Sequence, residues 1–462
     1  MSTHDHGSEV GAEAIEYPVW WEAEQSDLLR GRKAEQVRLI VAAFEAAGTP
    51  VGIYPSDDRP EDMEYMYRKG YLLTRDADVR RVHDALDREP GFASKTRTGL
   101  PAPISGLHVV PLMHDEEVLA TLGALDRALG TGVVTPDHVV HLTPNAGSCP
   151  ATEPLPTAGA PVPPIGSDDS CDGSGVLVSV IDTGLLKDVV AAHSWLAGIT
   201  GDPELATVGH YRGHGTFVAG VVRAMAPRAQ IHVEALLYVG GAILESDLAS
   251  RLGAALDTMP DIISMSAGTT TRGGQPLLGL EVFWEERLSK TKGTVLVCAA
   301  GNDGNRGPFN PATMPWTVSV GALDADGKRA GYSNFGSWVD VYARGSDIVN
   351  AYPRGLYKYQ EPPLAGQSAN FITGMANWSG TSFSTPLVSG LIAARMSWSG
   401  ESAREAADAL LELARVNATP GVGKVLEEGM ACRPDACPPT HQAPPPHCCC
   451  GSSRGGHQGA RT

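Results

Sequence analysis

Apolar residues follow two alternating periods along the second half of the chain. Short, nearly continuous runs rich in Val and Ile are typical of buried strands, whereas apolar residues at every third or fourth position indicate helices. Strands are predicted at GVLVSVI (175–181), QIHVEALL (230–237), DIISMSA (261–267), TVLVCAA (294–300) and TVSVGA (317–322). Helices are predicted at residues 214–226, 244–258, 277–291, 382–397 and 401–416. For residues 174–427 this alternation predicts an α/β domain, a parallel sheet with helices on both faces.

A smaller α/β unit is predicted over residues 61–145. Its strands are GYLLTRD (70–76), GLHVVPLM (106–113) and HVVHLTP (138–144), and its helices are ADVRRVHDALDRE (77–89) and DEEVLATLGALDRAL (115–129). This order favours an open-faced α/β sandwich. Residues 1–60 are predicted to form an N-terminal extension, in which residues 34–48 have helical apolar spacing and the following GIYPSDDRPED is rich in turn residues.

Two segments lack the apolar residues of a core. Residues 146–173 are rich in Pro, Gly and Ser and are expected to be a linker. Residues 428–462 contain Cys, Pro, Gly and His but few large apolar side chains, so we expect a disordered tail. Zinc binding or redox chemistry by the tail cysteines is the alternative.

Composition limits the partners and the compartment. The formal charge of −17 argues against nucleic acid as a partner. No apolar run reaches about 18 residues, so no membrane span is expected. The N-terminus lacks the basic and apolar segments of a secretory signal, and the region before residue 428 has only three of the eight cysteines. We therefore expect a cytoplasmic, reducing location, with non-classical export as the alternative.

Four polar residues stand where strands end or helices begin. Asp182 ends VLVSVID, His214 lies in GHGTFVAG, Asn302 follows VLVCAAG, and Ser382 lies in SGTSFSTP. Ligands of open parallel sheets bind at the carboxyl ends of the strands, so these side chains can converge. Ser382 would be the nucleophile, His214 its base and Asp182 the group that orients the imidazole. Asn302 and the backbone N–H of Ser382 would stabilise the oxyanion.

These motifs, in the order Asp, His, Asn, Ser, resemble those of subtilisin-type serine peptidases of the subtilase superfamily. The resemblance covers residues 174–427 and implies the subtilase fold, with Asp182, His214 and Ser382 as the triad and Asn302 in the oxyanion hole. It also implies that two backbone segments bind an extended peptide or protein substrate. These segments are Ser266, Ala267, Gly268 and Ala299, Ala300, Gly301. Their small residues predict an open pocket for the residue before the scissile bond.

The resemblance extends to the unit at 61–145, which is similar to the inhibitory prodomain that precedes many subtilases. Such a domain lays its last strand, here near HVVHLTPNAG, into the cleft, and it would be an intramolecular inhibitory partner. A permanent accessory domain is the alternative. The segment 356–377 before Ser382 is longer than the compact family pattern and is expected to form a lid or rim. No cofactor is expected, and no acidic cluster indicates a metal site for calcium.

Two other functions fit the same motifs. A non-catalytic domain of this fold could bind peptides, although it would not need all four polar residues. A maturation peptidase dedicated to one partner peptide would need them, and the long N-terminal region is compatible with that role.

Overall fold

The computed structural model describes residues 24–88, 104–142, 153–166 and 171–432, without the side chains of residues 24–29 and Glu116. The helices of these ranges are α1 Glu24–Ala46, α2 Val79–Leu86, α3 Val118–Leu129, α4 Lys187–Ala192, α5 His214–Met225, α6 Glu245–Ala255, α7 Leu278–Glu286, α8 Thr381–Ser399 and α9 Ala403–Val416. The strands are β1 Val51–Tyr54, β2 Tyr65–Arg75, β3 Leu107–Pro111, β4 Val134–Leu142, β5 Leu155–Pro156, β6 Leu177–Asp182, β7 Thr200–Gly201, β8 Gln230–Ala235, β9 Ala242–Leu244, β10 Ile262–Met265, β11 Ala267–Gly268, β12 Val295–Ala299, β13 Thr317–Leu323, β14 Val341–Arg344, β15 Ile348–Ala351, β16 Gly355–Lys358, β17 Ser368–Phe371, β18 Met375–Trp378 and β19 Val425–Leu426.

An eight-stranded sheet forms the centre of the larger domain, with the order β19-β14-β13-β12-β10-β6-β8-β7. Every neighbouring pair is parallel, and all five predicted strands belong to it. One face packs on α5 and α8 through residues such as Phe217 and Leu387, and the other packs on α6 and α7 through Leu252 and Phe283. The predicted parallel sheet with helices on both faces is confirmed.

The small unit is a separate antiparallel sheet in which β2 pairs with β1, β3 and β4. Successive side chains of a strand point to opposite faces of the sheet, as Leu72 and Leu73 of β2 do. Leu72 packs in a cluster with α2 and α3, whereas Leu73 packs in the cluster that contains α6 and α7 of the larger domain. The sheet therefore has its own helices on one face and the larger domain on the other.

The N-terminal boundary at residue 60 is wrong, because β1 is an edge strand of the small unit. The segment that the sequence indicates as turn-rich begins inside β1. Helix α1 buries Val37, Ile40 and Phe44 in one cluster with residues of β1, β4 and β9. Residues 24–46 are therefore part of the packed structure, and residues 1–23 lie outside the described ranges.

The linker and tail also differ from expectation where the structure describes them. Strand β5 pairs with β18, and Val162 bridges to Val349, so residues 153–166 pack against the larger domain. Cys171 forms a disulfide with Cys432. Residues up to 432 are thus ordered, while the rest of the tail lies outside the described ranges.

No helix of the residues that the structure describes combines the length and the apolar character that crossing a bilayer requires. In the same ranges, no group of three or more His, Cys, Asp or Glu side chains is placed to hold a metal ion.

Candidate active site

Asp182 and His214 are joined by a short hydrogen bond at the carboxyl edge of the central sheet. Asp182 is the last residue of β6, between β10 and β8, and His214 is the first residue of α5. The distance from His214 Nδ1 to Asp182 Oδ1 is 2.7 Å, and both side chains are buried. The backbone N–H of Thr183 donates to the same carboxylate oxygen at 2.8 Å. With Nδ1 held by the carboxylate, Nε2 of the imidazole is available for proton transfer.

Ser382 is the second residue of α8, and the ring of His214 packs against residues at the start of this helix. That ring is 5.2 Å from the Trp378 ring and 5.5 Å from that of Phe383, measured between centroids. Since these two residues flank the helix start, the imidazole lies against the turn that holds Ser382. Two hydrogen bonds join this turn to Ser266. The hydroxyl of Ser266 donates to the backbone carbonyl of Ser382 at 2.9 Å, and the hydroxyl of Ser382 donates to the backbone carbonyl of Ser266 at 3.5 Å.

The side chain of Asn302 is oriented by Thr381. Its Oδ1 accepts from the backbone N–H of Thr381 at 2.9 Å and from the Thr381 hydroxyl at 2.9 Å. The backbone N–H of Gly301 donates to that hydroxyl at 3.2 Å. Because Oδ1 faces Thr381, the two N–H bonds of the amide point away from it. Thr381 is not among the residues predicted for the site, although it stands in the motif SGTSFSTP directly before Ser382.

A second acidic residue supports the Asp182–His214 pair. Glu204 accepts a bond from the Thr183 hydroxyl at 3.0 Å and one from the backbone N–H of Gly213 at 2.7 Å. It therefore links the residue after Asp182 to the residue before His214. Burial raises the pKa of Glu204 to about 7. No sequence motif marks this residue, since its role depends on two loops that meet only in the fold.

The first predicted substrate segment pairs with the small unit. Strand β4 runs antiparallel to β11, with Leu142 opposite Ala267 and His141 opposite Gly268. The backbone N–H of Leu142 also donates to the carbonyl of Gly241 at 2.8 Å. A strand of the N-terminal region thus lies between two backbone segments of the larger domain.

The second predicted segment, Ala299, Ala300 and Gly301, is buried at the end of β12. The prediction of an open pocket beside this segment is wrong. A Cβ atom placed on Gly301 would lie 3.0 Å from Cγ of Phe309, and one on Gly268 would lie 2.2 Å from Cε1 of the same ring. The phenyl ring of Phe309 therefore occupies the space between the two segments.

The long segment before Ser382 forms a hairpin of β16 and β17. Glu361, in the loop of this hairpin, accepts a bond from Gln36 of α1 at 2.7 Å and lies 3.8 Å from Arg32 of the same helix. It is also 3.6 Å from His210, four residues before His214. The hairpin thus joins α1 to the rim of the catalytic site, as expected for a lid or rim.

Comparisons with known proteins identify the family of the chain. The model of the subtilase family, Peptidase_S8, matches residues 173–424. Thermitase of Thermoactinomyces vulgaris is 30% identical over 250 residues, 51% of this chain and 79% of thermitase. A thermophilic serine proteinase of Bacillus sp. (strain AK1) is 33% identical over 190 residues, 39% of this chain and 41% of that protein.

One solved structure shows the same fold. The crystal structure of fervidolysin from Fervidobacterium pennivorans, a keratinolytic enzyme related to subtilisin, aligns with a TM-score of 0.53 and 19% identity, over 79% of this chain and 61% of that one. The family match covers more than half of the 462 residues. The chain belongs to the subtilase family and is a subtilisin-like serine endopeptidase.

Proposed function

We propose that the chain hydrolyses peptide bonds through an acyl-enzyme on Ser382. His214 Nε2 removes the hydroxyl proton as Ser382 Oγ attacks the carbonyl carbon of the scissile bond. The imidazolium then gives this proton to the leaving nitrogen as the C–N bond breaks. A water molecule, deprotonated in turn by His214, cleaves the ester and restores the serine. The 2.7 Å bond between His214 and Asp182 carries this proposal, because it fixes the tautomer that these steps require.

Asn302 and the first turn of α8 would stabilise the oxyanion. The amide of Asn302 points its N–H bonds away from Thr381, and the backbone N–H of Ser382 lies at a helix N-terminus. Both donors are held in place before the reaction starts, so they stabilise the developing charge without rearranging. No metal ion or cofactor takes part in any of these steps.

Labelling with a fluorophosphonate tests the nucleophile and separates a peptidase from a non-catalytic peptide-binding domain. The full chain should gain one label on Ser382, located by mass spectrometry, and Ser382→Ala should gain none. Asp182→Asn should slow labelling by several orders of magnitude, because Asn favours the wrong tautomer. Ser389→Ala, which removes another buried serine of α8, is the matched control and should label normally. Equal labelling of Ser382→Ala would contradict the proposal.

We also propose that the N-terminal region inhibits the peptidase, through contacts on two sides of the site. Strand β4 pairs with Ala267 and Gly268, which would otherwise bind substrate. On the other side, α1 contacts Glu361 of the hairpin through Gln36. Between these contacts α1 lies on the loop at Gly240, where a Cβ atom would come 2.9 Å from Cβ of Ala43. A peptide would have to displace these elements to bind.

A charge exchange between α1 and the hairpin tests the inhibition. Gln36→Glu places a second carboxylate next to buried Glu361, so it should loosen α1 and raise the labelling rate of the full chain about tenfold or more. Adding Glu361→Gln restores one donor and one acceptor and should return the rate to that of the wild type. Arg38→Gln, on the exposed face of α1, is the control. If Gln36→Glu melts earlier but labels at the normal rate, the N-terminal region does not inhibit.

A further inference from the structure

The aromatic side chain of Phe309 occupies the space between the two predicted substrate segments. The residue is 2% exposed. Its ring lies against both Gly268 and Gly301, at the distances given above. Any side chain in place of either glycine would collide with the ring. Both glycines are therefore needed to accommodate Phe309, and the ring excludes other groups of similar size from this space.

The backbone next to Phe309 is fixed. Asn310 and Thr269 exchange two backbone hydrogen bonds of 2.8 Å each, so Phe309 is tied directly to the strand segment that contains Gly268. The Asn310 side chain donates to the Thr271 hydroxyl at 3.3 Å. The Asn334 amide also lies beside Gly301, 2.4 Å from a Cβ atom placed there. The position of Phe309 is thus fixed by the two backbone bonds between Asn310 and Thr269.

A cavity remains beside the ring. It has a volume of about 270 Å³ and is lined by Phe309, Asn305 and Asp303 of the larger domain and by Lys33, Glu64 and His141 of the N-terminal region, among others. Burial lowers the pKa of Lys33, which lies near Asp303. Lys33, Glu64 and His141 would leave with the N-terminal region when a peptide binds, so Asp303 and Asn305 of the larger domain remain beside the ring.

We infer that Phe309 makes this peptidase selective for a small residue, such as Gly, Ala or Ser, directly before the scissile bond. This inference rests on the proposed function, because it assigns the two segments to substrate binding. The substrate class is thus a peptide with a small side chain at that position. A substrate with Phe there would have to displace the resident ring, and one with Lys would have to pass it to reach Asp303.

Competing peptides measure this selectivity in the full chain. Three peptides with identical flanks carry Ala, Phe or Lys before the scissile bond and are cleaved in one mixture, with Ser382→Ala as the blank. Inhibition by the N-terminal region removes the same fraction of enzyme for all three, so the ratios of kcat/KM are unaffected. Wild type should cleave the Ala peptide at least about tenfold better than either of the others.

Substitution of the ring should reverse the preference. In Phe309→Ala the kcat/KM for the Phe peptide should rise about tenfold or more, whereas that for the Ala peptide should change by less than about threefold. Phe309→Leu, which keeps most of the packing, should give an intermediate ratio and serves if the Ala variant is unstable. Phe335→Ala, which removes an aromatic ring in another cluster, should leave the ratio unchanged.

The outcomes separate this inference from the proposed function. A wild-type preference for Phe or Lys overturns the role of Phe309 alone, and so does an unchanged ratio in a folded Phe309→Ala or Phe309→Leu variant. Failure of wild type to cleave any peptide, together with absent labelling of Ser382, overturns the proposed function and this inference with it.

Discussion

Replacing Thr381 by Val should impair catalysis although the residue takes no part in the chemistry. Val has nearly the same shape as Thr, and Thr381 is fully buried, so the substitution removes the hydroxyl and little else. That hydroxyl donates to Asn302 Oδ1 at 2.9 Å and accepts from the backbone N–H of Gly301 at 3.2 Å. The variant therefore loses one of the two bonds from Thr381 that orient the Asn302 amide, and it leaves the Gly301 donor without this partner.

The expected losses of stability and of kcat follow from these two hydrogen bonds. A lost hydrogen bond costs about 1 kcal/mol, and a buried donor without a partner costs about 1–3 kcal/mol, so the free energy of unfolding should fall by roughly 2–4 kcal/mol. The bond from the Thr381 backbone to Asn302 Oδ1 remains, so the amide is loosened and not released. If half of this free energy, about 1–2 kcal/mol, is also lost from the stabilisation of the transition state, kcat should drop about 5- to 30-fold, since 1.4 kcal/mol corresponds to a factor of ten.

Steady-state kinetics and denaturant unfolding separate the two effects. KM should change little, because the oxyanion exists in the transition state and not in the bound substrate. Thr381→Ser keeps the hydroxyl and is the matched control, expected to retain most of kcat. If Thr381→Val unfolds at lower denaturant but turns over as fast as wild type, Thr381 does not position Asn302, and the proposed oxyanion hole loses its support.

Three other predictions concern different parts of the molecule. Asn302→Leu should leave KM near normal and collapse kcat by a factor of about 10² or more, and it should melt earlier because Thr381 loses both of its bonds to Oδ1; normal turnover by the folded fraction would contradict the oxyanion role. Glu204→Gln should unfold like wild type near pH 4.5 and be more stable than wild type near pH 8. Burial raises the pKa of Glu204 to about 7, so the stabilising contribution of the protonated wild-type side chain is lost as the pH rises to that value. Equal stability of variant and wild type at both pH values would argue against the buried carboxylate. Cys432→Ser should lower the denaturant midpoint, since the bridge to Cys171 closes a loop with a sequence separation of 261 residues and chain entropy sets its limit at roughly 5 kcal/mol; a reductant that leaves the wild-type midpoint unchanged would show that the bridge contributes nothing.

The central sheet could be predicted because its strands are buried on both faces. Strands such as β6 and β12 are then apolar at nearly every position, and the helices between them show the helical period. The four candidate catalytic residues were recognisable for a related reason. Each stands at the end of such a strand or at the start of a helix, so the local sequence places it at the carboxyl edge of the sheet.

The missed elements depend on contacts between distant residues. Strand β11 has two residues and exists because β4 lies beside it, so no local period could indicate it. Phe309 looks like any apolar residue in a turn-rich segment, and its position against Gly268 becomes visible in three dimensions. Helix 277–291 ends early, because Arg287 leaves helical geometry after Glu286 and a short 3-10 turn follows.

Gly268 takes part in both the proposed inhibition and the proposed selectivity, the first through its backbone and the second through its missing side chain. Its backbone pairs with His141 of β4 in the plane of the sheet, whereas its missing side chain would point at Phe309. Hydrogen bonds between strands run within the sheet, and side chains stand perpendicular to it. Substitution of Phe309 should therefore change which peptide is preferred without releasing β4, and loosening α1 at Gln36 should raise the rate for all peptides without changing their ratio. The inhibition and the selectivity can thus be varied separately, although they share this short strand.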